Sequence, residues 1–483
     1  MQNRMPLVEA MLKYKNEKVY PFHTPGHKGG RGMEALLKNE LGAGAVAMDV
    51  SLMSELDDIH APSSYIMEAQ NLAAQLYGSD RCFFAVNGTT GAIHAMLMAA
   101  CKAGDKILVP RNAHRSVAGA LLVANLEPVF AMPEYDAVFG INTQITPQAV
   151  EAMFARHADI KAVLVTSPNY YGQAADLKAI AGIAHAHNAA LLVDEAHGPH
   201  LGFSSKLPPS ALQCGADACA QSTHKILGAM TQCSLLHVKG GRINLTRAAE
   251  AVSLLTTTSP NYLLMASIDA ARYTLAVQGE KLIERALTAA EKLRKCLSKF
   301  AGLKLLDAGC TGKNAIAGFD CTKVTVNTAA WGYSGTEAGD ALRKAGIAVE
   351  LIDAQNVLFL VTFADGGAEY DAVLEKISRV FAGLEQHKRA PLKEQNCWRL
   401  PEFVTAVPLR SAFDAETESL PLQEAEGRIC AEQVSFYPPG IPVLWPGELV
   451  TAAVIDYCLR MKKLGLPVSG PADYTLTELQ VIK

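Results

Sequence analysis

Lys225 is the residue of this sequence most suited to covalent chemistry. It follows the apolar run DACAQS at 217–222 and is preceded directly by Ser222, Thr223 and His224. An amine in this position can form a Schiff base with a carbonyl group, and desolvation would lower its pKa and make it nucleophilic. The hydroxyls and the imidazole beside it could bind a phosphate. Taken alone, however, a lysine after a strand is more typical of an exposed surface residue.

A second candidate group lies in the segment LLVDEAHGPH, where Asp194 and His197 follow another apolar run. A cofactor with a pyridine ring needs a carboxylate beside its ring nitrogen, because the protonated ring acts as an electron sink. Asp194 suits that role. An aspartate at the end of a strand that only caps the following turn is the alternative for an isolated motif.

The segment CFFAVNGTTGAIHAML indicates a strand, a turn of small residues and a helix. Gly88, Thr89 and Thr90 lie in that turn. Backbone N–H groups at the start of a helix, together with two hydroxyls, form a site suited to an anion such as phosphate. A tight turn without a ligand is an equally good explanation. His114, in KILVPRNAHRS, follows a further strand and could stack on a flat ring, although a lone histidine there is more often a cap or a surface residue.

Two other classes of site are excluded by their motifs. DEAH also occurs in helicases, but the sequence has no GxxxxGK[ST] loop, and GCTGKN at 309–314 has the wrong spacing. The pairs His197/His200 and His185/His187 are not completed by a cysteine or acidic cluster at a usual spacing. We therefore expect no metal, and interpret these histidines as solvated or hydrogen-bonded.

The composition is that of a globular protein with an extensive interior. The chain has 483 residues, 49% of them hydrophobic and 19% charged, with a net charge of −4. This balance gives no electrostatic reason to expect nucleic acid or a membrane surface as a partner. No signal peptide or membrane-spanning run is apparent. The 11 cysteines lack a CxxC pair, so we expect free thiols in a cytoplasmic protein.

The elements that must position these residues form a repeating pattern. Short apolar runs alternate with stretches of helical length, which predicts an α/β fold with a mostly parallel sheet covered on both faces. Ligands bind beyond the carboxyl ends of the strands of such sheets. The predicted strands are 82–86, 106–110, 127–132, 161–166, 190–196, 217–222 and 233–238.

The chain divides into four predicted units. Residues 1–60 are expected to form an irregular N-terminal arm, and 61–268 a large domain that carries the candidate site. A long helical stretch at 269–300 opens a smaller α+β domain over 269–385. The polar segment 385–402 predicts a linker to a C-terminal domain at 386–483.

The motifs together resemble a known family. In chain order, NGTTGA, PRNAHRS, SPNYYG, DEAHG and STHKILGAMTQCS are similar to the fold-type I (aspartate aminotransferase-like) pyridoxal-phosphate enzymes, and more narrowly to the Orn/Lys/Arg decarboxylase family. PFHTPGHKGG, LTTTSPNYLLMAS and YPPGIPVLWPGE extend the resemblance over nearly the whole chain. The chain is expected to be a short form without the N-terminal wing domain of the large inducible members. Cys233 departs from the motif, which usually has Ser, Thr or Ala there.

This resemblance implies a lyase that uses pyridoxal 5'-phosphate to convert arginine, lysine or ornithine to a polyamine-pathway amine and CO₂. Lys225 would hold the cofactor covalently, Asp194 would pair with its ring nitrogen, and Lys225 or His197 would return a proton to the substrate Cα. A homodimer or higher oligomer with sites at the subunit interface is implied. The remaining implied roles are ring stacking (His114), phosphate binding (Gly88, Thr89, Thr90, Ser222, His224 and, toward the neighbouring subunit, Thr257) and substrate binding (Glu350 for the distal cation, and His27).

Two alternatives remain at this point. A different fold-type I enzyme, such as an α-oxoamine synthase or an aminotransferase, would also contain DEAHG, but the synthases usually lack the S-x-H-K histidine. Aminotransferases hold the α-carboxylate with an arginine, for which Arg343 in LRKAG is a poor candidate because that segment looks helical and solvated. A binding module without catalysis would not need Lys225 together with its partners.

Overall fold

The computed structural model describes residues 2–53, 55–392, 399–437 and 440–483. The expectation of an irregular N-terminal arm is wrong, because this part of the chain contains helices. Leu7 and Met11 of the first helix are buried in one apolar cluster with Phe84 and Tyr262, and this apolar face stabilises the helix. The first helices are α1 (Pro6–Asn16), α2 (Ala35–Leu41), α3 (Ala43–Val46) and α4 (Tyr65–Tyr77).

The next part of the chain alternates strands and helices as its hydrophobic pattern predicts. The strands are β1 (Arg81–Ala85), β2 (Lys106–Pro110), β3 (Glu127–Ala131), β4 (Tyr135–Asp136), β5 (Ile141–Asn142), β6 (Ile160–Thr166), β7 (Gln173–Ala174), β8 (Ala190–Asp194), β9 (Ala218–Gln221) and β10 (Ser234–Val238). The helices are α5 (Gly88–Ala100), α6 (Arg115–Ala124), α7 (Pro147–Arg156), α8 (Leu177–Ala186), α9 (Thr223–Ile226) and α10 (Leu245–Leu255).

All seven predicted strands belong to one seven-stranded sheet, in the order β1-β10-β9-β8-β6-β2-β3. The pairs β2/β3, β2/β6, β6/β8 and β8/β9 are parallel, and only β10 runs antiparallel to both of its neighbours. Helices α5, α6 and α10 share one apolar cluster with the sheet, and α7 and α8 share another. The predicted α/β class is confirmed by this mostly parallel sheet with helices on both faces. Its strands are continuously apolar because both faces of the sheet are buried.

A second, antiparallel sheet of four strands follows, in the order β11-β13-β15-β14. The helix predicted from residue 269 begins earlier, because the Asn261 side chain caps it by accepting from the N–H groups of Leu263 and Leu264. The elements are α11 (Tyr262–Leu297), β11 (Lys304–Leu306), β12 (Gly318–Phe319), β13 (Lys323–Asn327), α12 (Gly335–Lys344), β14 (Leu351–Ile352), β15 (Asn356–Leu360) and α13 (Gly367–Gln386).

The C-terminal unit has its own apolar core, which includes Val434, Leu444 and Cys458. Residues 393–398 of the predicted linker, and Pro438 and Pro439 of the YPPG motif, lie outside the described residues. Its elements are α14 (Leu409–Asp414), β16 (Thr417–Pro421), β17 (Val434–Phe436), β18 (Ile441–Leu444), α15 (Ala452–Lys463), β19 (Val468–Ser469) and β20 (Glu478–Ile482).

Two properties of the described residues concern the expected environment of the protein. The ten cysteines that they include are all free thiols, and Cys397 lies outside the described part. A search of the described helices finds none that combines the length and the apolar character needed to cross a membrane.

Candidate active site

A cavity of about 290 Å³ lies where strands of the large sheet end. Parallel strands bring their carboxyl ends to one edge of a sheet, so side chains that are distant in sequence converge there. Nine of the twelve predicted site residues line this cavity: Gly88, Thr89, Thr90, His114, Asp194, His197, Ser222, His224 and Lys225.

Lys225 lies on the one-turn helix α9, directly after β9. Its Nζ is 3.0 Å from Nε2 of His197 and 5.0 Å from the centre of the Tyr170 ring. Burial lowers the pKa of Lys225, although the nearby carboxylates of Asp194 and Glu350 oppose this shift. A lysine with a lowered pKa has a larger neutral fraction, which is the nucleophilic form.

Asp194 ends strand β8 and is only 3% exposed. Its Oδ1 accepts a hydrogen bond from the Ala196 N–H at 3.2 Å. Burial raises its pKa, and the charge of Lys225 opposes that effect. Among the described residues, no cationic group lies within 4 Å of this carboxylate. The site therefore holds a buried carboxylate that a protonated heterocycle would complement.

His197 is buried beside Lys225, and its ring centre is 4.3 Å from that of Tyr170. Burial, and then the charge of Lys225, lower its pKa well below the ordinary value, so the ring is neutral at physiological pH. Within the described chain its Nδ1 is buried without a hydrogen-bond partner. A neutral imidazole with an unused nitrogen is able to accept or donate a proton inside the cavity.

The start of helix α5 offers a cluster of hydroxyls at one end of the cavity. Gly88 has a φ of +66°, and its N–H donates to the Gln232 carbonyl at 2.9 Å. Thr89 Oγ1 is in short contact with Ser222 Oγ and lies 2.8 Å from Ser234 Oγ. Hydroxyls beside the positive end of a helix favour an anion.

Two further predicted residues border this region. His114 caps helix α6, since its Nδ1 accepts from the Ser116 N–H at 3.2 Å. Burial, and then Lys225 and Arg115, lower the pKa of His114 to about 4, so its ring lines the cavity in the neutral form. His224 Nδ1 lies 2.9 Å from the Cys233 carbonyl oxygen, which fixes a proton on that nitrogen.

The structure does not bring the other three predicted site residues into this cavity. His27 Nε2 pairs with Asp49 Oδ2 at 3.0 Å in the N-terminal arm. Thr257 is exposed, and its Oγ1 accepts from the Ser259 N–H at 3.2 Å. Glu350 lines a separate cavity of about 510 Å³. It is nevertheless close enough to Lys225 for the two charges to interact, and burial raises the pKa of its carboxyl.

Several residues of the cavity were not assigned a role from the sequence. Asn169 and Tyr170 lie in the quoted motif SPNYYG just after β6, where the rule that ligands bind at strand ends would have found them. Asn112 follows β2 in the same way. Ile441 has no such local signal, because it comes from the C-terminal unit.

Three comparisons place the chain among known proteins. The arginine decarboxylase of Bacillus anthracis is 42% identical over 487 residues, covering 100% of this chain and 98% of that protein. The inducible lysine decarboxylase of Escherichia coli is 26% identical, covering 96% of this chain and 78% of that protein. In the crystal structure of the Francisella novicida lysine decarboxylase LdcF, the fold matches with a TM-score of 0.84 at 23% identity, covering 100% of this chain and 81% of that one.

The fold is of the α/β class, and its cavity holds a buried amine, a carboxylate and an imidazole where the strands end. Family models of the Orn/Lys/Arg decarboxylase major domain and C-terminal domain match residues 5–369 and 401–470. The chain belongs to the Orn/Lys/Arg decarboxylase family. It is therefore a lyase that decarboxylates a basic amino acid, and the alternatives of a synthase, an aminotransferase or a binding module are wrong.

Proposed function

We propose that this protein is a pyridoxal-phosphate-dependent arginine decarboxylase. The observation that carries the cofactor assignment is a pair of buried groups in one cavity, the Lys225 amine and the Asp194 carboxylate. The choice of arginine is supported by 42% identity to an arginine decarboxylase over the full chain, against 26% to a lysine decarboxylase.

The described residues fit pyridoxal phosphate at its aldehyde carbon, ring nitrogen, ring face and phosphate. Lys225 would hold its aldehyde carbon, and Asp194 would pair with its ring nitrogen. The α5 start with Thr89, Thr90 and Ser222 would hold its phosphate. The neutral His114 ring would lie against its ring face. When bound, this cofactor supplies an electron sink for the bond that breaks at the substrate Cα.

The protein side chains divide the remaining tasks. Burial disfavours the charged form of Asp194, but a protonated ring nitrogen beside it would keep the carboxylate ionised. The carboxylate would in turn keep that ring nitrogen protonated. Lys225 would hold the cofactor in the cavity, beside the His197 imidazole. The Lys225 amine and the His197 imidazole are 3.0 Å apart, so either could return a proton to Cα after CO₂ leaves. The neutral state that burial imposes on His197 suits such a transfer.

Glu350 is proposed to select substrates with a distal cation. Its carboxyl is near enough to Lys225 to influence that amine electrostatically, yet it lines a different cavity of the single chain. A planar guanidinium can bind a carboxylate through two parallel hydrogen bonds, which an ammonium cannot. An ammonium can also pair with this carboxylate as a point charge, so the choice of arginine rests on the sequence identity. His27 is retained as a candidate substrate-binding residue.

We also propose a homodimer or a higher homo-oligomer with the active sites at the subunit interface. Several large apolar side chains are exposed on the single chain, which is typical of surfaces that pack against another subunit. Phe22 is 90% exposed and Leu254 is 73% exposed. Leu254 is three residues before Thr257, so such an interface would place Thr257 at the phosphate of the neighbouring site. Light scattering should give at least twice the mass of one chain, and a monomeric active enzyme would exclude this arrangement.

The decisive experiment supplies the purified protein and added pyridoxal phosphate with arginine, lysine or ornithine in separate reactions. We expect CO₂ release without any added keto acid, with the highest kcat/KM for arginine. Borohydride should attach the cofactor to the peptide that contains Lys225. A higher kcat/KM for lysine or ornithine would exclude the arginine assignment, and failure to bind the cofactor would exclude the proposed chemistry.

A further inference from the structure

Arg111 joins the large sheet to the C-terminal unit from a fully buried position. It directly follows strand β2, and its backbone N–H donates to the Ala131 carbonyl at 2.8 Å. Its guanidinium donates to the carbonyl oxygens of Pro442 and Val443 at 2.6 and 3.0 Å, and to Glu448 Oε2 at 2.9 Å. We call this set of contacts the Arg111 clamp.

The clamp is rigid and shielded from water. Arg111 and Glu448 are both 2% exposed. Glu448 Oε2 also accepts from the Trp445 backbone N–H at 2.9 Å. The guanidinium carbon lies 5.1 to 5.7 Å from the ring centres of three aromatic residues, Phe130, Phe403 and Trp445. A planar cation with fixed donors among aromatic rings has little freedom to move.

The chain segments on both sides of the Arg111 clamp include residues that line the catalytic cavity. On the large-sheet side, Arg111 is followed by Asn112 and, two residues later, by His114, which both line the cavity. On the C-terminal side, the clamped carbonyls belong to the two residues that follow Ile441, which lines the same cavity. A Cβ added at Gly440 would lie 3.8 Å from the His114 ring. The two strands therefore meet at the cavity wall.

We propose that the Arg111 clamp is a positioning device that fixes Ile441 as an apolar wall of the catalytic cavity. The inference rests on the proposed function for its kinetic part. An apolar wall excludes water from the reacting groups and strengthens the electrostatic interactions inside the cavity. Arg111 touches neither Lys225 nor Asp194 among its described contacts, so it acts through Ile441.

A purely structural role is the competing explanation. In that case the clamp would only attach the C-terminal unit, and truncation of Ile441 would leave the chemistry unchanged. Ile441 is partly exposed and begins strand β18, so its truncation creates no large cavity in a packed core. The two explanations therefore differ in what Ile441 variants do to kcat and KM.

The first test follows hydrogen exchange in the cofactor-free protein. We expect Arg111→Lys and Glu448→Gln to increase exchange at the backbone N–H groups of Ile441, Val443 and Leu444 at least tenfold, while helix α15 stays protected. Arg272→Lys is the matched control, because Arg272 is also a buried arginine, paired with Asp269 Oδ1 at 2.6 Å outside the cavity. Wild-type exchange at Ile441–Leu444 in both clamp variants would overturn the proposal. Both variants keep a polar side chain at the substituted position, so they should destabilise the fold less than Arg111→Met would.

The second test measures the wall in the holoenzyme. We expect Ile441→Ser to lower kcat for the preferred substrate by about tenfold or more, since single apolar contacts in a pocket typically contribute that much. KM should change less, and the absorption band of the bound cofactor should shift because water enters. Ile441→Val keeps the wall and should stay within about threefold. A kcat for Ile441→Ser within twofold of the wild-type value would overturn the proposed role of Ile441 as an apolar wall.

These outcomes are separable from a failure of the proposed function. If the wild-type protein binds no pyridoxal phosphate or releases no CO₂ from any basic amino acid, the proposed function fails. The exchange measurement would still decide whether the clamp orders Ile441–Leu444. If exchange rises but Ile441→Ser turns over normally, the positioning role is wrong and the proposed function stands.

Discussion

Lys323→Met should strongly destabilise the protein, because the buried Asp320 carboxylate loses its lysine partner and keeps His200 and Thr322 beside it. Lys323, Asp320 and His200 are each 0% exposed. Lys323 Nζ donates to Asp320 Oδ2 at 2.8 Å, and His200 Nε2 lies 3.2 Å from the same oxygen. Removal of one partner from a buried ion pair typically costs about 3–5 kcal/mol, and we expect a loss of that size in the free energy of unfolding.

The assay is urea unfolding at pH 7, monitored by far-ultraviolet circular dichroism. Lys292→Met is the matched control, because Lys292 pairs with Asp371 at 2.8 Å while both side chains are about half exposed. An exposed pair contributes about 1 kcal/mol or less. The double variant Asp320→Asn/Lys323→Met removes both charges and keeps the acceptor for Thr322. We expect it to be more stable than Lys323→Met alone.

The pH dependence gives the reasoning a second check. Burial alone would raise the pKa of Asp320, but Lys323 and His200 lower it well below its ordinary value. In the wild type this stabilisation is present above the unfolded pKa, about 3.9, and is lost only as the pH falls through the lower folded value. Without Lys323 the Asp320 pKa should rise, because burial then acts against His200 without the lysine charge. Asp320 should therefore be neutralised at a higher pH in the variant, so the difference in unfolding free energy from wild type should narrow in acid. A Lys323→Met protein as stable as Lys292→Met, or a gap that widens in acid, would refute the reasoning.

Three further predictions concern the cavity. Lys225→Ala should abolish cofactor attachment by borohydride together with turnover, and normal turnover would remove Lys225 from its role. Asp194→Asn keeps the shape but loses the charge, so kcat should fall by about 10²-fold or more, measured as CO₂ release; a normal kcat would separate Asp194 from the ring nitrogen. Glu350→Gln should raise KM for arginine about tenfold or more, whereas Glu369→Gln in the same second cavity should leave it unchanged, and equal KM values would exclude Glu350.

Much of the large unit follows from local sequence patterns. The run ALLVD predicts a buried strand and forms β8, because continuous apolar residues suit a sheet that is covered on both faces. Asp194 and Lys225 each follow such a run, and the shared direction of β8 and β9 carries both to one edge. The two residues therefore meet in one cavity because their strands are parallel neighbours, and the alternation of apolar runs and helices along the sequence already predicts parallel strands.

The N-terminal arm shows where local reasoning is less successful. Its sequence lacks an obvious helical pattern, yet Leu7 and Met11 are buried in the same apolar cluster as Phe84 and Tyr262. A short helix gains most of its stability from tertiary packing of its apolar face. The partner surface for α1 comes from residues far along the chain, so the arm's own residues do not reveal it.

Only the tertiary structure shows that the C-terminal unit contributes to the lining of the cavity, through Ile441. The sequence by itself determined the placement of Lys225, Asp194 and His114 at the strand ends, because the apolar runs that form the strands are local features. Ile441 and the pairing of Arg111 with Glu448 depend on two segments more than 300 residues apart. Such a contact leaves no periodic signal in either segment, since it arises from how separately folded surfaces fit together.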